Sequence, residues 1–515
     1  MPVISRLEQF KQLQQNAFVF QRGIERETLR VDPKGHISQT PHPAGLGSAL
    51  THKAITTDYS EALLEFITSV KTDKKALLQE LDELHRYSFS KMDNEMFWAG
   101  SMPSVLPEQE QIPIAQYGNS HIGRLKTIYR HGLWHRYGRK MQTIAGLHYN
   151  WSLTEDFWQQ WAMVNGKLGD LTPFKTEEYF GLIRNFRRHS WLLLYLFGSS
   201  PAADRSFLDE PSDELALLGN DTLYNPYATS LRMSDLGYSN QAQAELFVCF
   251  NSLETYAKTL SEAIQQPYPA YESIGLKEGD DYKQLNTSIL QIENEYYSDI
   301  RPKRVAYSGE KPLHALRYRG VEYIEVRCMD VNPFQPLGID ETAINFLDLF
   351  LLWCLVQDSP MISPEECEQL QRNTEAVAIG GRDPELTLTL KGETIAVPEL
   401  AQNFVESICQ FAKFIDQKNG TDCYARSCEA QMLKVQNPEL TPSAQVLNAV
   451  REAGSYRQFT LAQSEAFANH FNDALRPDRL APWQEETDLS VWRAKNIENS
   501  QQGSFDDFLT EYLRQ

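Results

Sequence analysis

The stretch GIERETLR, residues 23–30, alternates in the manner of a β-strand and sets Glu25 and Glu27 two residues apart, with Arg26 between them. Alternate side chains of a strand point to the same face of a sheet, so the two carboxylates are predicted to lie side by side. Because like charges at that distance repel each other, such a pair needs a positive charge in front of it. The stretch therefore predicts a strand whose acidic face binds cations.

Four other segments carry polar side chains at positions that we expect to face inward from a strand. They are TTDYSEALLEFIT (56–68) with Asp58 and Glu65, TIAGLHYN (143–150) with Ile144, Gly146, His148 and Asn150 and with Gln142 in line, QIENEYY (291–297) with Glu293 and Glu295, and YIEVR (323–327) with Tyr323, Glu325 and Arg327. Hard oxygen ligands from several strands, together with one imidazole, fit Mg²⁺ or Mn²⁺ and not Zn²⁺. A single Glu on a strand is usually solvated and a lone His is usually a hydrogen-bonded core residue, so the predicted metal site rests on the whole set.

The sequence lacks the short motifs that bind phosphate through the backbone. It has no GxxxxGKS or GxxxxGKT loop, no GxGxxG between a strand and a helix, and no GxSxG elbow. An ATP site would therefore hold phosphate through metal ions and arginines. The densest basic run, residues 123–140, includes Arg130 and no acid, and IRPKR (300–304) is a shorter one. A solvated helix face or a loop is an equally good interpretation of the longer run.

The overall charge disfavours nucleic acid as the main partner. The 515 residues include 49 Lys and Arg against 69 Asp and Glu, which gives a formal net charge of −20. An acidic protein binds anions only through a local basic pocket or through bound cations, so a nucleic-acid interface along residues 123–140 is a remote alternative.

Cysteine usage and the N-terminus predict a cytoplasmic protein. The seven cysteines form no CxxC pair, and an odd number without a secretory leader is typical of a reducing compartment. Residues 1–18 have the spacing of a surface helix. The longest apolar stretch, INFLDLFLLWCLV (344–356), is interrupted by Asp348 and is too short to span a bilayer. It is predicted to be a buried core helix, and no membrane partner is expected.

Helices are predicted to dominate beyond residue 340. Residues 400–420 place apolar side chains on one stripe and end at Asn419-Gly420, and residues 441–454 begin with Thr441 as a cap. The segment LTLTLKGETIAV (386–397) predicts a hairpin that turns near Lys391-Gly392. Because this region carries no cluster of chemically reactive groups, we expect it to be a helical buttress.

The sequence contains a series of long, ordered motifs: RGIERETLRV (22–31), GSALTHKAITTDYSEALLEFIT (47–68), AQYGNS (115–120), MQTIAGLHYNWSL (141–153), YATSLRMSDLGY (227–238), LQIENEYY (290–297), IRPKR (300–304) and EYIEVRCMDVNPFQP (322–336). Together they resemble bacterial glutamate–cysteine ligase, also called γ-glutamylcysteine synthetase, of the proteobacterial stand-alone type. The similarity covers nearly the whole chain and is weakest after about residue 370. The length fits the stand-alone ligase without an appended glutathione synthetase domain.

The resemblance implies a fold and a reaction. The fold is α+β, with a glutamine-synthetase-like curved antiparallel sheet surrounded by helices; residues 1–375 are expected to form this catalytic domain and residues 376–515 a mostly helical extension packed on it. The implied reaction uses ATP as co-substrate to phosphorylate the γ-carboxylate of glutamate. The amine of cysteine then attacks the acyl phosphate, which gives γ-glutamylcysteine, ADP and phosphate in the first step of glutathione synthesis.

The resemblance also assigns roles to individual residues. The implied ligands of two or three Mg²⁺ or Mn²⁺ ions are Glu25, Glu27, Asp58, Glu65, His148 and Glu325. Arg327 is expected to bind the transferring phosphoryl group, with Arg130 as a second candidate for that role. The implied glutamate pocket consists of Arg232, Gln142, Ile144 and Asn150, and the implied wall of the cysteine site consists of Tyr238, Tyr297 and Tyr59. No cysteine of the chain is expected to act as a nucleophile.

Two other hypotheses remain open on the sequence. One is a sister ligase that forms the same γ-glutamyl phosphate but uses a different amine, and the side chains around Tyr238 and Tyr297 would decide between the two acceptors. The other is a non-catalytic regulator that binds nucleotide or metal on the same fold, against which the full acidic set and Arg327 weigh. The family further implies a monomer whose partners are small-molecule substrates.

Overall fold

A computed structural model describes residues 5–210, 212–238, 246–307 and 310–514, with Tyr238 described by its backbone alone. A seven-stranded antiparallel sheet runs in the order β11-β12-β5-β1-β3-β2, and β4 also pairs with β1. Its strands are β1 Phe20–Val31, β2 Ile55–Thr57, β3 Leu63–Ile67, β4 Met96–Phe97, β5 Gly146–Leu153, β11 Ile300–Lys303 and β12 Tyr323–Asp330. The smaller sheets comprise β6 Ala202–Asp204, β7 Ala216–Leu218, β8 Thr222–Tyr224, β9 Lys277–Glu278, β10 Asp281–Tyr282, β13 Thr387–Leu390 and β14 Glu393–Ala396.

Helices surround the main sheet and make up most of the chain beyond β12. They are α1 Arg6–Phe10, α2 Lys74–Phe89, α3 His121–Tyr137, α4 Glu155–Val164, α5 Thr172–His189, α6 Trp191–Phe197, α7 Asp235–Tyr238, α8 Leu253–Gln265, α9 Pro269–Ile274, α10 Pro312–Arg319, α11 Glu341–Val356, α12 Pro364–Gly380, α13 Val397–Asn419, α14 Cys423–Gln436, α15 Pro442–Ala453, α16 Tyr456–Phe471, α17 Pro477–Ser500 and α18 Phe505–Arg514. The predicted α+β class with a helical C-terminal region is therefore confirmed. Among the described helices, none is both long and apolar enough to cross a membrane.

The register of the central strands places the acidic residues on one face. Glu25 of β1 lies opposite His148 of β5, and Glu27 lies opposite Glu65 of β3. On the other side of β5, Glu325 of β12 lies opposite Asn150. Directly opposed residues share a face, so the alternation in GIERETLR produces the acidic face that the sequence predicts.

A β-bulge interrupts the pairing of β12 with β5. Val326 lies opposite Tyr149, but Met329 lies opposite Leu147, so β12 contains one extra residue between these two pairs. The extra residue turns Met329 into the apolar core and brings Asp330 opposite Gly146. Arg327 precedes this shift and keeps the face of Glu325.

The core lies between the other face of the sheet and the helices. In α11, every residue from Ala343 to Val356 is buried, which confirms the predicted core helix. Its one buried acid, Asp348, accepts hydrogen bonds from Arg22 Nη2 of β1 at 2.5 Å and from Tyr149 Oη of β5 at 2.8 Å. Both members of the Arg22–Asp348 ion pair are at most 3% exposed. Asp348 therefore connects the helix to β1 through Arg22 and to β5 through Tyr149, and these two strands carry Glu25 and His148.

Several local predictions are confirmed. Residues 146–153 form a strand, α13 ends at Gly420 in the left-handed conformation, and Thr441 accepts a hydrogen bond as the cap of α15. The hairpin β13–β14 turns at Lys391 and Gly392, both with positive φ. The N-terminus differs from the prediction: α1 is only five residues long and Phe10 is 1% exposed, because its apolar side packs into the core instead of lying on the surface.

The segment QIENEYY also differs from the strand that its alternation predicts. Glu293–Glu295 is a single 3₁₀ turn, and Glu295 Oε2 accepts a hydrogen bond from the Gln291 backbone amide at 2.6 Å. Its other oxygen accepts from Arg136 Nη1 at 2.9 Å and from Tyr137 Oη at 2.5 Å. The acid therefore closes a turn and pairs with the basic run, and it does not join the acidic face.

We predict that Asp348→Ala lowers the free energy of unfolding by about 3–5 kcal/mol, because it leaves the Arg22 guanidinium buried without its carboxylate. Urea unfolding followed by circular dichroism measures the change. The exposed pair of Lys258 with Glu262 is the control, since Glu262→Ala should cost less than about 1 kcal/mol. Equal effects of the two substitutions would contradict this role of the buried pair.

Candidate active site

Four carboxylates surround one imidazole on the acidic face. His148 Nδ1 lies 3.1 Å from Glu25 Oε2 and 3.9 Å from Glu325 Oε1, and His148 Nε2 lies 3.5 Å from Glu27 Oε1. Ligand atoms of Glu25, Glu65 and His148 all lie within 4.8 Å of one another. These five residues, which come from four strands, are called the acidic cluster below. The structure thus brings together five of the six residues expected to bind metal.

The sixth residue, Asp58, follows β2 and lies beside the cluster. Its backbone amide donates to the Leu63 carbonyl, and its side chain lines the same cavity as Glu27. Arg130 of α3 donates from Nε to the Asp58 carbonyl at 2.5 Å, so the basic run is tied to this loop by a backbone contact. Arg130 is therefore a half-buried residue of the site and not part of a solvated helix face.

Crowding of the carboxylates perturbs their protonation. Burial raises the pKa of Glu65 well above its usual range, and neighbouring carboxylates raise it further. Burial also raises the pKa of Glu27. Burial opposes the ionisation of Glu325, yet the charges of Lys303 and Arg327 hold its pKa well below its usual range. Burial and the charge of Glu325 oppose the ionisation of Glu25, yet its hydrogen bond with His148 and the charge of Lys303 lower its pKa. The nearby cations therefore outweigh burial at Glu25 and Glu325 but not at Glu27 and Glu65.

The residues of the cluster fit divalent magnesium or manganese. Carboxylate oxygens and one imidazole are the hard ligands that these ions accept, and the described residues around them include no thiolate. Two like charges about 4 Å apart interact by roughly 4 kcal/mol at an effective dielectric of about 20, so bound dications would relieve a large repulsion.

Arg327 lies beside the cluster. Its Nη1 atom is 3.2 Å from Glu325 Oε2 and 3.5 Å from His148 Nδ1. Arg232, in the turn before α7, donates from Nη2 to the Arg327 carbonyl at 2.7 Å, and its Nη1 lies 3.7 Å from Asp330 Oδ1. A Cβ atom at Gly146 would lie 2.2 Å from Arg232 Nη2, so only glycine leaves room for this guanidinium.

A cavity of about 130 Å³, here called the tyrosine cavity, opens next to Glu27 and Arg327. Of the residues expected to contact substrate or the phosphoryl group, five line it: Tyr59, Arg130, Gln142, Tyr297 and Arg327. The Tyr59 hydroxyl is buried and has no hydrogen-bond partner among the described residues. The side chain of Tyr238 lies outside the described residues.

Sequence reasoning missed part of the tyrosine cavity. Tyr129, Leu133 and Tyr137 of α3 line it at intervals of four residues, next to Arg130. That spacing on one face of a helix is a signal that the sequence contains. Asn294 and Arg301 also line the cavity. They lie in the segments QIENEYY and IRPKR, which the sequence singles out without assigning a role to either residue.

A second cavity, of about 640 Å³, lies at the opposite end of the same strands and is here called the large cavity. Its lining residues include Gly23, Glu25, Asn150, Ser152, Trp158, Lys175, Arg304 and Tyr323. Asn150 Nδ2 donates to Glu25 Oε1 at 2.8 Å, so the cavity borders the acidic cluster directly. Its volume is in the range of small-molecule and cofactor sites.

The expected glutamate pocket is divided between these cavities. Gln142 lines the tyrosine cavity, whereas Asn150 lines the large cavity on the other side of the cluster. Ile144 is 1% exposed and its side chain packs in an apolar cluster with Leu231. Arg232 contacts the Arg327 carbonyl and lines neither of these two cavities. The structure does not bring the four side chains into one cavity.

Comparisons with known proteins converge on one family. The sequence model of the glutamate–cysteine ligase family matches residues 5–377. Curated glutamate–cysteine ligases from Pseudomonas paraeruginosa and Azotobacter vinelandii are each 50% identical, over 95% of this chain and 93% of theirs. A crystal structure of the glutamate–cysteine ligase of Francisella tularensis in complex with AMP matches with a TM-score of 0.91 at 36% identity, covering 96% of this chain and 97% of that one. A bifunctional glutathione synthetase from Pasteurella multocida, at 23% identity and a TM-score of 0.68, shares the fold.

We predict that Mg²⁺ raises the thermal midpoint of unfolding of the protein and that Glu65→Gln removes most of this gain, because the ion binds the folded state alone. In EDTA at pH 8 the same substitution should raise the free energy of unfolding by roughly 1 kcal/mol or more. The sign follows from the raised pKa of Glu65: a carboxylate that folding makes harder to ionise destabilises the folded protein as the pH rises through that pKa.

Differential scanning fluorimetry and urea unfolding test both effects. Glu452→Gln, at an exposed position on α15, is the control that should change neither quantity. An unchanged midpoint of the unsubstituted protein in Mg²⁺ would contradict the metal site.

Proposed function

The chain belongs to the glutamate–cysteine ligase family, and from this premise we propose which residues perform each part of the reaction. The protein is an ATP-dependent ligase that joins the γ-carboxylate of glutamate to the amine of cysteine in glutathione biosynthesis. The names of the relatives favour cysteine over another amine as the acceptor, and they favour an enzyme over a regulator.

The chemistry determines what the site has to provide. A carboxylate resists attack by an amine because it is already negative and has no good leaving group. Transfer of the terminal phosphoryl group of ATP to the carboxylate oxygen forms an acyl phosphate and releases ADP. The amine then bonds to the acyl carbon, loses a proton and expels phosphate. The first step requires one anion to approach another, so positive charge has to be concentrated between them.

We propose that Glu25, Glu27, Asp58, Glu65, His148 and Glu325 hold two or three Mg²⁺ or Mn²⁺ ions. Their convergence on one imidazole and the raised pKa values of Glu65 and Glu27 support this assignment. When bound, such ions neutralise the triphosphate and spread the charge of the transferring group. The chain itself supplies the fixed positions of the ligands, since five of the six lie on four paired strands and Asp58 follows β2 directly.

Arg327 is the proposed partner of the transferring phosphoryl group. It lines the tyrosine cavity and also contacts Glu325 and His148, so its guanidinium lies between this cavity and the acidic cluster. A planar guanidinium binds phosphoryl oxygens in a bidentate manner and stays charged. Arg130, which lines the same cavity, is the second candidate.

The large cavity is the proposed site of the nucleotide. Its volume of about 640 Å³ and its shared border at Glu25 and Asn150 support this placement, because the polyphosphate can then reach the cluster. Arg304 and Lys175 also line this cavity, each paired with an acid of the same lining, Glu322 and Glu155 respectively. The relative from Francisella tularensis binds AMP, which further supports a nucleotide site in this fold.

The tyrosine cavity is the proposed site of the amino acids. Gln142 is assigned to glutamate in this cavity, and Tyr59 and Tyr297 to the wall that contacts cysteine. Arg232, Ile144 and Asn150 do not line this cavity, and their assignment to glutamate rests on the resemblance alone. The buried Tyr59 hydroxyl without a partner supports a polar contact with substrate there, since a buried hydroxyl left unpaired is costly. Tyr238 is assigned to the same wall on the resemblance alone.

Further proposals concern the organisation of the chain. We propose a catalytic domain of residues 1–375 and a helical extension of residues 376–515 packed on it, and the match of the family to residues 5–377 supports this division. We also propose that the protein acts as a cytoplasmic monomer without nucleic-acid or membrane partners. Its formal net charge of −20 supports the exclusion of nucleic acid.

We predict that ADP is released from ATP and Mg²⁺ only with glutamate and an amine, and fastest with cysteine. A coupled assay that compares cysteine, 2-aminobutyrate, other amines and no amine measures this directly. Turnover with no preference for cysteine-like acceptors would instead indicate the sister ligase.

We predict that Glu27→Gln and Arg327→Ala each abolish turnover, with a loss of at least about 100-fold in kcat, while the far-UV circular dichroism spectrum stays close to native. Lys258→Met, on the exposed face of α8, is the matched control and should retain full activity. Global unfolding of either variant would point to a structural role for that residue.

A further inference from the structure

Lys303 lies between the two cavities, and none of the roles above uses it. In the pairing of β11 with β12, Arg301 lies opposite Glu325 and Lys303 lies opposite Tyr323. These four side chains share the acidic face because the positions alternate. Arg301 lines the tyrosine cavity, while Tyr323 lines the large cavity. Lys303 therefore lies between the large cavity, where the nucleotide is proposed to bind, and the tyrosine cavity.

Lys303 contacts the acidic cluster. Its Nζ atom lies 3.3 Å from Glu325 Oε1, and its side chain is 28% exposed whereas that of Glu325 is 1% exposed. Among the described residues, no other lysine forms an ion pair with an acid of the cluster. The ammonium group thus occupies one of the carboxylate oxygens that a metal ion would use.

An ammonium group and a metal ion compete for Glu325. Unit charges of the same sign about 4 Å apart repel each other by roughly 4 kcal/mol at an effective dielectric of about 20, and a dication doubles that repulsion. When Glu325 coordinates a metal ion, Lys303 has to leave it and needs another anion. The flexible four-carbon stem and the partial exposure of Lys303 allow its head group to move.

We propose that Lys303 is a phosphate-binding residue that exchanges Glu325 for the polyphosphate of the nucleotide. Without metal it neutralises Glu325, and with metal and nucleotide bound it contacts a phosphate oxygen on the large-cavity side of the cluster. Lysine binds phosphate as a point charge and needs no fixed hydrogen-bond geometry, which suits a group that moves between two anions. This inference rests on the proposed placement of the nucleotide in the large cavity.

Calorimetric titration of ADP in the presence of Mg²⁺ tests the contact. Lys303→Met should weaken ADP binding by about 10-fold or more, Lys303→Arg should recover most of the affinity, and the surface control Lys258→Met should bind as the unsubstituted protein does. Unchanged affinity of Lys303→Met would overturn the proposal.

Metal binding without nucleotide separates this role from that of a simple counter-ion. Titration of Mn²⁺ followed by electron paramagnetic resonance should show equal or tighter binding to Lys303→Met, because a competitor for Glu325 is gone. Weaker Mn²⁺ binding together with weaker ADP binding would mean that Lys303 organises the cluster, and that result would also overturn the proposal.

A third variant tests the premise separately. Ser152 lines the large cavity away from the cluster, and Ser152→Trp should block the nucleotide. If Ser152→Trp leaves ADP affinity unchanged, the placement of the nucleotide is wrong and the inference falls with it. If it weakens ADP binding and Lys303→Met does not, only the role of Lys303 is overturned.

The unsubstituted protein provides a test that needs no variant to fold. Acetylation of Lys303 by acetic anhydride, measured by mass spectrometry of peptides, should increase with Mg²⁺ alone because the ammonium is released from Glu325. It should then decrease when ADP is added with Mg²⁺. Equal modification with Mg²⁺ and with Mg²⁺ plus ADP would overturn the proposal.

Discussion

Electrostatic repulsion among the carboxylates of the acidic cluster is the constraint that the rest of the structure has to satisfy. Glu25, Glu27, Glu65 and Glu325 converge on His148 from four paired strands, and burial raises the pKa of two of these acids. A flexible chain would separate them. Only a rigid sheet can hold them in this arrangement until bound cations turn the repulsion into attraction, so the site needs a larger scaffold than its own few residues provide.

The helix α11 holds the central strands in place from the core face of the sheet, opposite the acidic face. Arg22 lies three residues before Glu25 on β1 and pairs with the buried Asp348 of α11, while Tyr149, next to His148, donates to the same carboxylate. One buried acid in a mostly apolar helix therefore connects the two strands at the centre of the cluster. The sequence shows Asp348 only as an interruption of an apolar run, since Tyr149 and Arg22 are more than 190 residues away from it in the chain.

Local periodicity predicts the strands of the site and most of the residues on its acidic face, because a strand fixes the direction of alternate side chains. Long-range geometry is what the sequence leaves open. Gln142 lies in the turn before β5, whereas Asn150 lies about 13 Å along the strand from Gly146, so two residues expected in one pocket line different cavities. Alternation in QIENEYY also indicates a strand, yet Glu295 closes a turn because a backbone amide four residues earlier lies within its reach.

Because of the bulge in β12, the number of residues in that strand determines which side chains face the core. One extra residue between Val326 and Met329 reverses the faces to which the following side chains point. Met329 therefore lies in the core and Asp330 faces Arg232. Loss of a single residue here would exchange the two environments and leave an acid in the apolar layer. Tolerance to insertions and deletions should therefore be lowest along this strand, where side-chain replacements of similar size would still be accommodated.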